Sequence, residues 1–176
     1  MSVDQKEFRN ALGQFATGVA IVTATVDGNR LGATISSFNS VSLEPPLVLF
    51  SMIRGALGIA QWKAAKSYCI AILGESQRDL SNRFAKAGTD KWIGIDPAFA
   101  ANGAPMVPGA NAYFECEPWS VCDGGDHEIF ICRVTAFRVI PQAEPSLIFC
   151  GGRYRHLSAL DAATKPPPEN LYLHGW

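Results

Sequence analysis

The segment from Leu31 to Ser51, LGATISSFNSVSLEPPLVLFS, sets small and hydroxyl-bearing residues between two apolar runs. Thr34, Ser36, Ser37, Ser40 and Ser42 lie on chain that otherwise reads as strand. Glu44-Pro45-Pro46 forces a turn, because proline fixes its own φ and pushes the preceding residue out of the helical region. The strand Leu47-Val48-Leu49-Phe50 follows directly. Two readings are open here. A row of hydroxyls and free amides beside a rigid sheet can bind a polar, planar ligand with neither a metal nor a charged cage. The same stretch can also be an ordinary hairpin whose hydroxyls face water, and only the flanking chain separates the two.

Upstream, Asp4 can cap a short helix whose apolar residues Phe8, Ala11, Leu12 and Phe15 fall at helical spacing. Val19 to Val26, VAIVTATV, is β-branched and partly alternating, and Asp27-Gly28-Asn29 is a hairpin turn leading into the opening segment. Downstream, Gly55 to Ala65 reads as a helix packed by Leu57, Ile59, Ala60 and Trp62. Ser67 to Leu73 is a strand. A helix then begins at Ser76, with Asp79 as a capping-box partner and Leu80 and Phe84 as its apolar side. From Ala87 to Ala110 periodicity is lost among glycines and prolines, and a connection that long is usually functional or mobile. Two long strands follow, Asn111 to Cys122 and Glu128 to Ile140, joined by Gly124-Gly125-Asp126-His127. Ser146 to Cys150 is a last short strand. The tail carries Pro166-Pro167-Pro168, a polyproline spacer, and an amphipathic end, ENLYLHGW, which reads as either disordered or docked on a partner subunit, with its apolar residues favouring docking.

Strands outnumber helices and arrive as hairpins, so the expected fold is mainly β, a small antiparallel barrel with a few peripheral helices. The 176 residues, 48% hydrophobic, suit one domain spanning 1–176. A net charge of -1 argues against a nucleic-acid or anionic-membrane surface. No apolar run approaches the roughly 20 residues of a membrane span, and the polar, acidic start MSVDQKEFRN does not read as a secretory signal. The five cysteines, with no C-x-x-C pair, read as reduced thiols of a cytoplasmic protein. Histidines 127, 156 and 174 have no ligand spacing with them, so no metal site is expected. Neither G-x-G-x-x-G nor G-x-x-x-x-G-K-[ST] occurs, which excludes the familiar phosphate loops.

Five strings in order carry a resemblance: FRNALGQFATGVAIVTA, GATISSFNSVSLEPPLVLFS, DLSNRFA, GDHEIFICRV and GGRYR. From about Phe8 to about Leu157 the chain resembles the flavin reductases, the small NAD(P)H-dependent components of two-component flavin monooxygenases. The resemblance implies a Greek-key, FMN-binding split β-barrel assembled as a homodimer with flavin near the subunit interface. It implies that Thr34, Ile35 and Ser36 line the isoalloxazine edge, and that Ser37, Asn39 and Ser40 reach the ribityl chain and phosphate. Ser51, Met52 and Arg54 would flank the same ligand, while Arg83 and Phe84 would close over the phosphate or the adenine side. Asp126 and His127 would meet the nicotinamide, with Tyr154 and Arg155 beside that pocket. One departure is that Arg54 is followed by Gly55-Ala56-Leu57-Gly58 where the family often carries phosphate-binding hydroxyls. The phosphate would then rely on Arg54, the cradle serines and the next helix start, leaving FMN and FAD equally open.

Hydride transfer from nicotinamide C4 to flavin N5 needs no protein nucleophile, and the cofactors carry the chemistry. That suits a sequence without G-x-S-x-G or H-E-x-x-H. His127 would then act as a positioning donor; on residues alone it and Asp126 are equally turn residues in solvent. Arg54 and Arg83 can likewise be surface residues, and Trp62, Trp92 and Trp119 read as core or interface. The expected function is reduction of free FAD or FMN by NADH or NADPH, with reduced flavin diffusing to a separate oxygenase. The lack of an arginine cluster for a 2′-phosphate points to NADH. The rivals are an oxidoreductase with tightly held FMN acting on another substrate, and a flavin-binding module without turnover.

Overall fold

The computed structural model describes residues 3–141 and 143–157. The tail from 158 onward, read above as a spacer and docking end, lies outside the described residues. Helix α1 (Gln5–Leu12) starts where Asp4 accepts from the Lys6 and Glu7 amides, as expected of a carboxylate N-cap. Among the described residues its apolar stripe finds no partner: Phe8 and Leu12 are exposed, as is Phe15 just beyond the helix.

Strands β1 (Thr17–Gly18), β2 (Ala20–Val26), β3 (Asn29–Ile35), β4 (Asn39–Leu43) and β5 (Pro46–Ile53) follow. The β2–β3 turn has Asp27 and Gly28 both at positive φ, the backbone that an Asp-Gly pair accommodates in a two-residue hairpin. Helix α2 (Ile59–Ala64) is shorter than the sequence reading. Gly58 stands before it at φ 77°, so residues 54–57 form turns and no helix begins at Gly55. β6 (Tyr68–Ile72) leads to a 3-10 turn at Glu75–Gln77 and to α3 (Arg78–Ala85). The expected capping partner Asp79 is not used. Gln77 Oε1 accepts from the Gly74 amide, and the Glu144 carboxylate accepts from Ser76.

The irregular 87–110 segment holds a small hairpin, β7 (Ala98–Phe99) with β8 (Pro105–Met106). It is no floppy connection, since Trp92, Ala100, Ala104, Met106, Val107 and Ala110 are buried. β9 (Ala112–Gly124) and β10 (His127–Val139) form the long hairpin, and Gly125 at φ 79° makes its turn. β11 (Ile148–Cys150) and β12 (Arg153–Arg155) join β1 in a three-stranded sheet.

The main sheet is antiparallel and seven-stranded, in the order β3-β2-β6-β9-β10-β5-β4. Its central strands are apolar on both faces, which is why VAIVTATV reads as a near-continuous apolar run. One face packs Val19, Ile21, Cys69, Ala71 and Leu73 beneath α3 and the 92–110 segment. The other packs Ala20 and Val22 with Phe50, Tyr68 and Phe130. Phe50 and Phe130 stack at 4.8 Å, and the Tyr68 hydroxyl donates to the Trp62 carbonyl at 2.6 Å. Because β2 and β5 lie four places apart in the order yet share that cluster, the sheet curls. Among the described strands β3 and β4 are its two edges and do not pair with each other.

Two contacts hold the curled edges. α3 sits on β3 where Gly32 has no side chain: a Cβ there would lie 2.4 Å from a Phe84 ring carbon. Beyond the end of β3, the Ser37 hydroxyl accepts from the Ser51 amide at 2.9 Å and donates to the Ser51 carbonyl at 3.1 Å, standing in for a neighbouring strand. Gly32→Ala is expected to cost about 1–3 kcal/mol through overpacking against the wholly buried Phe84, read as a lower urea midpoint. Ser37→Ala should cost about 1–2 kcal/mol by the same measurement, because it strips two half-buried main-chain groups of their partner.

Candidate functional site

The edges of the sheet expose main-chain groups in a pattern fixed by the hairpins. Across the two-residue β2–β3 turn, Val26 and Asn29 form the hydrogen-bonded pair. Alternate residues Arg30, Gly32 and Thr34 therefore turn their N–H and C=O groups away from β2. The Gly32 carbonyl shows this directly, accepting from Lys91 Nζ at 2.8 Å. On β5 the Arg54 amide donates to the Asp126 carbonyl at 2.9 Å, which makes Met52 the inward-bonded residue and turns Ser51 and Ile53 outward. Ser51 is met by Ser37; the Ile53 amide lies past that stitch.

Between these edges lies a cleft of about 640 Å³, within the range of small-molecule sites. β3 contributes Arg30 to Ile35, and β5 contributes Ser51, Met52 and Ile53. The turns before α2 supply Gly55, Ala56 and Leu57, α2 supplies Trp62, and α3 supplies Phe84 and Ala85. Residues 87–92 form the remaining wall, and His127 stands at the rim from the β9–β10 turn. Apolar faces with unpaired amides along the strand edges fit a flat heterocycle with a polar rim, such as the isoalloxazine the sequence led us to expect. No group of three or more metal-ligating side chains occurs among the described residues.

Of the residues expected at the ligand, Thr34, Ile35, Ser51, Met52, Phe84 and His127 line the cleft. The Thr34 hydroxyl is not free, because it donates to the Ser81 carbonyl at 2.6 Å and ties β3 to α3, so Thr34 offers only its main chain. Ser36, Ser37, Asn39 and Ser40 lie off the lining. Ser37 is committed to Ser51, and the Asn39 side chain accepts from the Ser40 amide at 2.9 Å. Arg54 also lies off it: its guanidinium pairs with Asp123 at 2.8 Å, and its Nε donates to the His127 carbonyl. The helix start expected to help Arg54 is six residues long and begins only at Ile59. Arg83 is half-buried on α3, beside the lining residues Phe84 and Ala85 but not among them. Tyr154 belongs to a second, smaller cleft with Glu75 and Asp79, where its hydroxyl meets Ser81 Oγ at 2.9 Å and donates to Asn82. Arg155, exposed on β12, lines neither.

At the rim, His127 Nδ1 lies 2.7 Å from an Asp126 carboxylate oxygen. That bond and the His127 charge hold the exposed Asp126 carboxyl below its ordinary range. The carboxylate thus accepts the hydrogen bond from Nδ1–H and leaves Nε2 as the ring's open position. Asp123 is depressed too, first by the Gly125 amide and then by Arg54, so the turn is ordered by its own charges.

The residue reading missed Arg30, Gly32, Trp62 and the 87–92 wall as parts of a site. Its one signal was the loss of periodicity after Ala87, which marked a functional segment without naming side chains. Of the three tryptophans read as core or interface, Trp62 and Trp92 are buried, and both also line the cleft. Trp119 is exposed on β9.

The flavin reductase like domain model matches residues 12–158. The chain is 37% identical over 153 residues to HsaB of Mycobacterium tuberculosis, the reductase subunit of a flavin-dependent monooxygenase, covering 86% of this chain and 82% of that one. Among solved structures it is similar to a nitrilotriacetate monooxygenase component B homologue from Mycobacterium thermoresistibile, with a TM-score of 0.90, 34% identity, and 98% and 96% of the two chains covered. It is also similar to the NADH:FAD oxidoreductase SgcE6 of Streptomyces globisporus, solved with NAD and FAD fragments, at a TM-score of 0.83 and 33% identity over 90% and 98% of the chains. The match takes in the whole seven-stranded sheet, the cleft and its rim, and the chain belongs to the flavin reductase-like family.

Proposed function

We propose that the chain is an NAD(P)H-dependent flavin reductase that uses NADH to reduce FAD or FMN and releases the reduced flavin to a separate oxygenase. The observation that carries this reading is the slot between the unpaired edges of β3 and β5 with His127 at its rim. Bound flavin supplies the two-electron acceptor and the nicotinamide supplies the hydride. The protein's part is placement. The Thr34 main-chain groups and the Ile53 N–H would hold the polar rim of the ring, which FMN and FAD share; the Ile53 carbonyl accepts from the Ala56 amide. Met52, Trp62 and Phe84 exclude water from its faces. His127, oriented by Asp126, would hold the nicotinamide through its open Nε2 edge.

No side chain at the slot is built as a nucleophile. Cys69 and Cys132 are buried, and loss of solvation pushes both thiols up to about 12; Cys116 is pushed up by the same cause. The five cysteines are all free, which supports a reducing, cytoplasmic setting. No described helix is long and apolar enough to cross a membrane.

The curled, unclosed sheet supports the finer reading as a Greek-key split barrel. A homodimer is supported by apolar surface that the described residues leave uncovered. Phe8 and Leu12 on α1, Phe15 just after it, and Trp119, Val121, Phe137 and Val139 on the long hairpin are all exposed among the described residues, more than a monomer ordinarily leaves wet.

The activity is tested by mixing purified protein with NADH and following nicotinamide absorbance as FAD or FMN is added. NADH loss that rises with free flavin and saturates is the expected result. A yellow protein inert to NADH would overturn the reading in favour of a flavin-binding module. His127→Ala is expected to raise the KM for NADH by about tenfold, the loss of one hydrogen bond, while the flavin Kd stays within about twofold. Equal weakening of both would make the turn merely structural.

A further inference from the structure

The part of the slot wall that is not sheet, residues 86–92, follows α3 as irregular chain, and such chain keeps its place only where something ties it. Two attachments are internal or apolar. Asp90 accepts from the Trp92 amide at 2.9 Å, and the Trp92 ring meets Phe84 edge-on at 5.0 Å. The second is incomplete, since the buried Trp92 Nε1–H has no partner among the described residues. An orphaned donor works against the closed position of the wall.

Lys91 supplies what these lack. Its ammonium donates to the Gly32 carbonyl at 2.8 Å and to the Phe84 carbonyl at 2.8 Å. The first acceptor lies on the unpaired edge of β3. The second belongs to the last turn of α3, where carbonyls have no helical amide to meet and the helix end is negative. One cation thus answers two orphan acceptors on different elements, and it does so half-buried at the lining of the slot. Burial lowers the Lys91 pKa, the cost of holding the ammonium half out of water, and the two carbonyls offset it. We infer that Lys91 is a positioning residue for flavin binding: by bridging Gly32 and Phe84 it clamps the 86–92 wall against the edge of β3 and sets the width of the slot. The inference rests on the reading that flavin occupies this cleft.

Lys91→Met keeps the length and apolar stem and removes the charge and donors. Flavin Kd would be measured by fluorescence quenching, with KM for flavin and for NADH and kcat from steady-state assays. The clamp predicts a flavin Kd and KM about tenfold higher, with kcat at saturating flavin and the NADH KM within about threefold of wild type. Lys91→Gln, able to reach one carbonyl only, should fall between; it also decides the matter if the Met variant does not fold. A wild-type flavin Kd in the folded variant overturns the inference, and so does a loss confined to kcat. Wild-type protein that binds no flavin overturns the functional reading and the clamp together, which separates the two failures.

Discussion

Everything about the cleft follows from where the sheet stops pairing. β3 and β4 are joined by only three residues, yet they stand at opposite edges of the main sheet. The single hydroxyl of Ser37 bridges that discontinuity by bonding both main-chain groups of Ser51. On one side of the stitch β4 continues the ladder on β5. On the other, the edges of β3 and β5 diverge and leave hydrogen-bonding groups that no strand claims. Unclaimed main-chain groups beside apolar side chains are ordinarily a liability at a sheet edge. Here they are sheltered by α3, by the turns before α2 and by the 86–92 segment, so they face a slot instead of bulk water.

The division of labour follows from that arrangement. A reaction whose reactive atoms both belong to cofactors asks the protein for orientation, dryness and access. The site offers those and little else: apolar walls, fixed amides, and one imidazole at the rim held in orientation by a neighbouring carboxylate. Most charged groups nearby are already engaged. Arg54 pairs with Asp123, Lys63 with Glu128, and Lys91 with two carbonyls. They hold the frame on which the cleft-facing main chain is displayed.

Much of the fold was legible in the residues because its signals are local. Asp27-Gly28 and Gly125 mark the hairpins, Asp4 marks a helix start, and the β-branched runs give the strands. The site was legible in place and less so in detail. Only the two ends of the hydroxyl-rich segment line the cleft, through Thr34, Ile35 and Ser51, and its hydroxyls serve the protein. Thr34 secures α3 and Ser37 secures Ser51, and sequence cannot say whether a hydroxyl faces a ligand or a neighbouring strand. Lys91 and Gly32 escaped notice for a related reason. Their meaning depends on a contact across 59 positions of chain, which no local periodicity encodes. The helix read from Gly55 was shortened by the left-handed backbone of Gly58, a feature that propensity alone does not reveal.

The unpaired edges of β3 and β5 have an evolutionary corollary. Amides at Thr34 and Ile53 survive almost any exchange of side chain, so recognition written in peptide units is shielded from point mutation and silent in an alanine scan. Side chains along this wall can therefore change widely while the same row of hydrogen-bonding groups stays on display. What such a site cannot tolerate is an imino acid in the wrong place or a slip of one residue in strand pairing, either of which would rewrite the display wholesale.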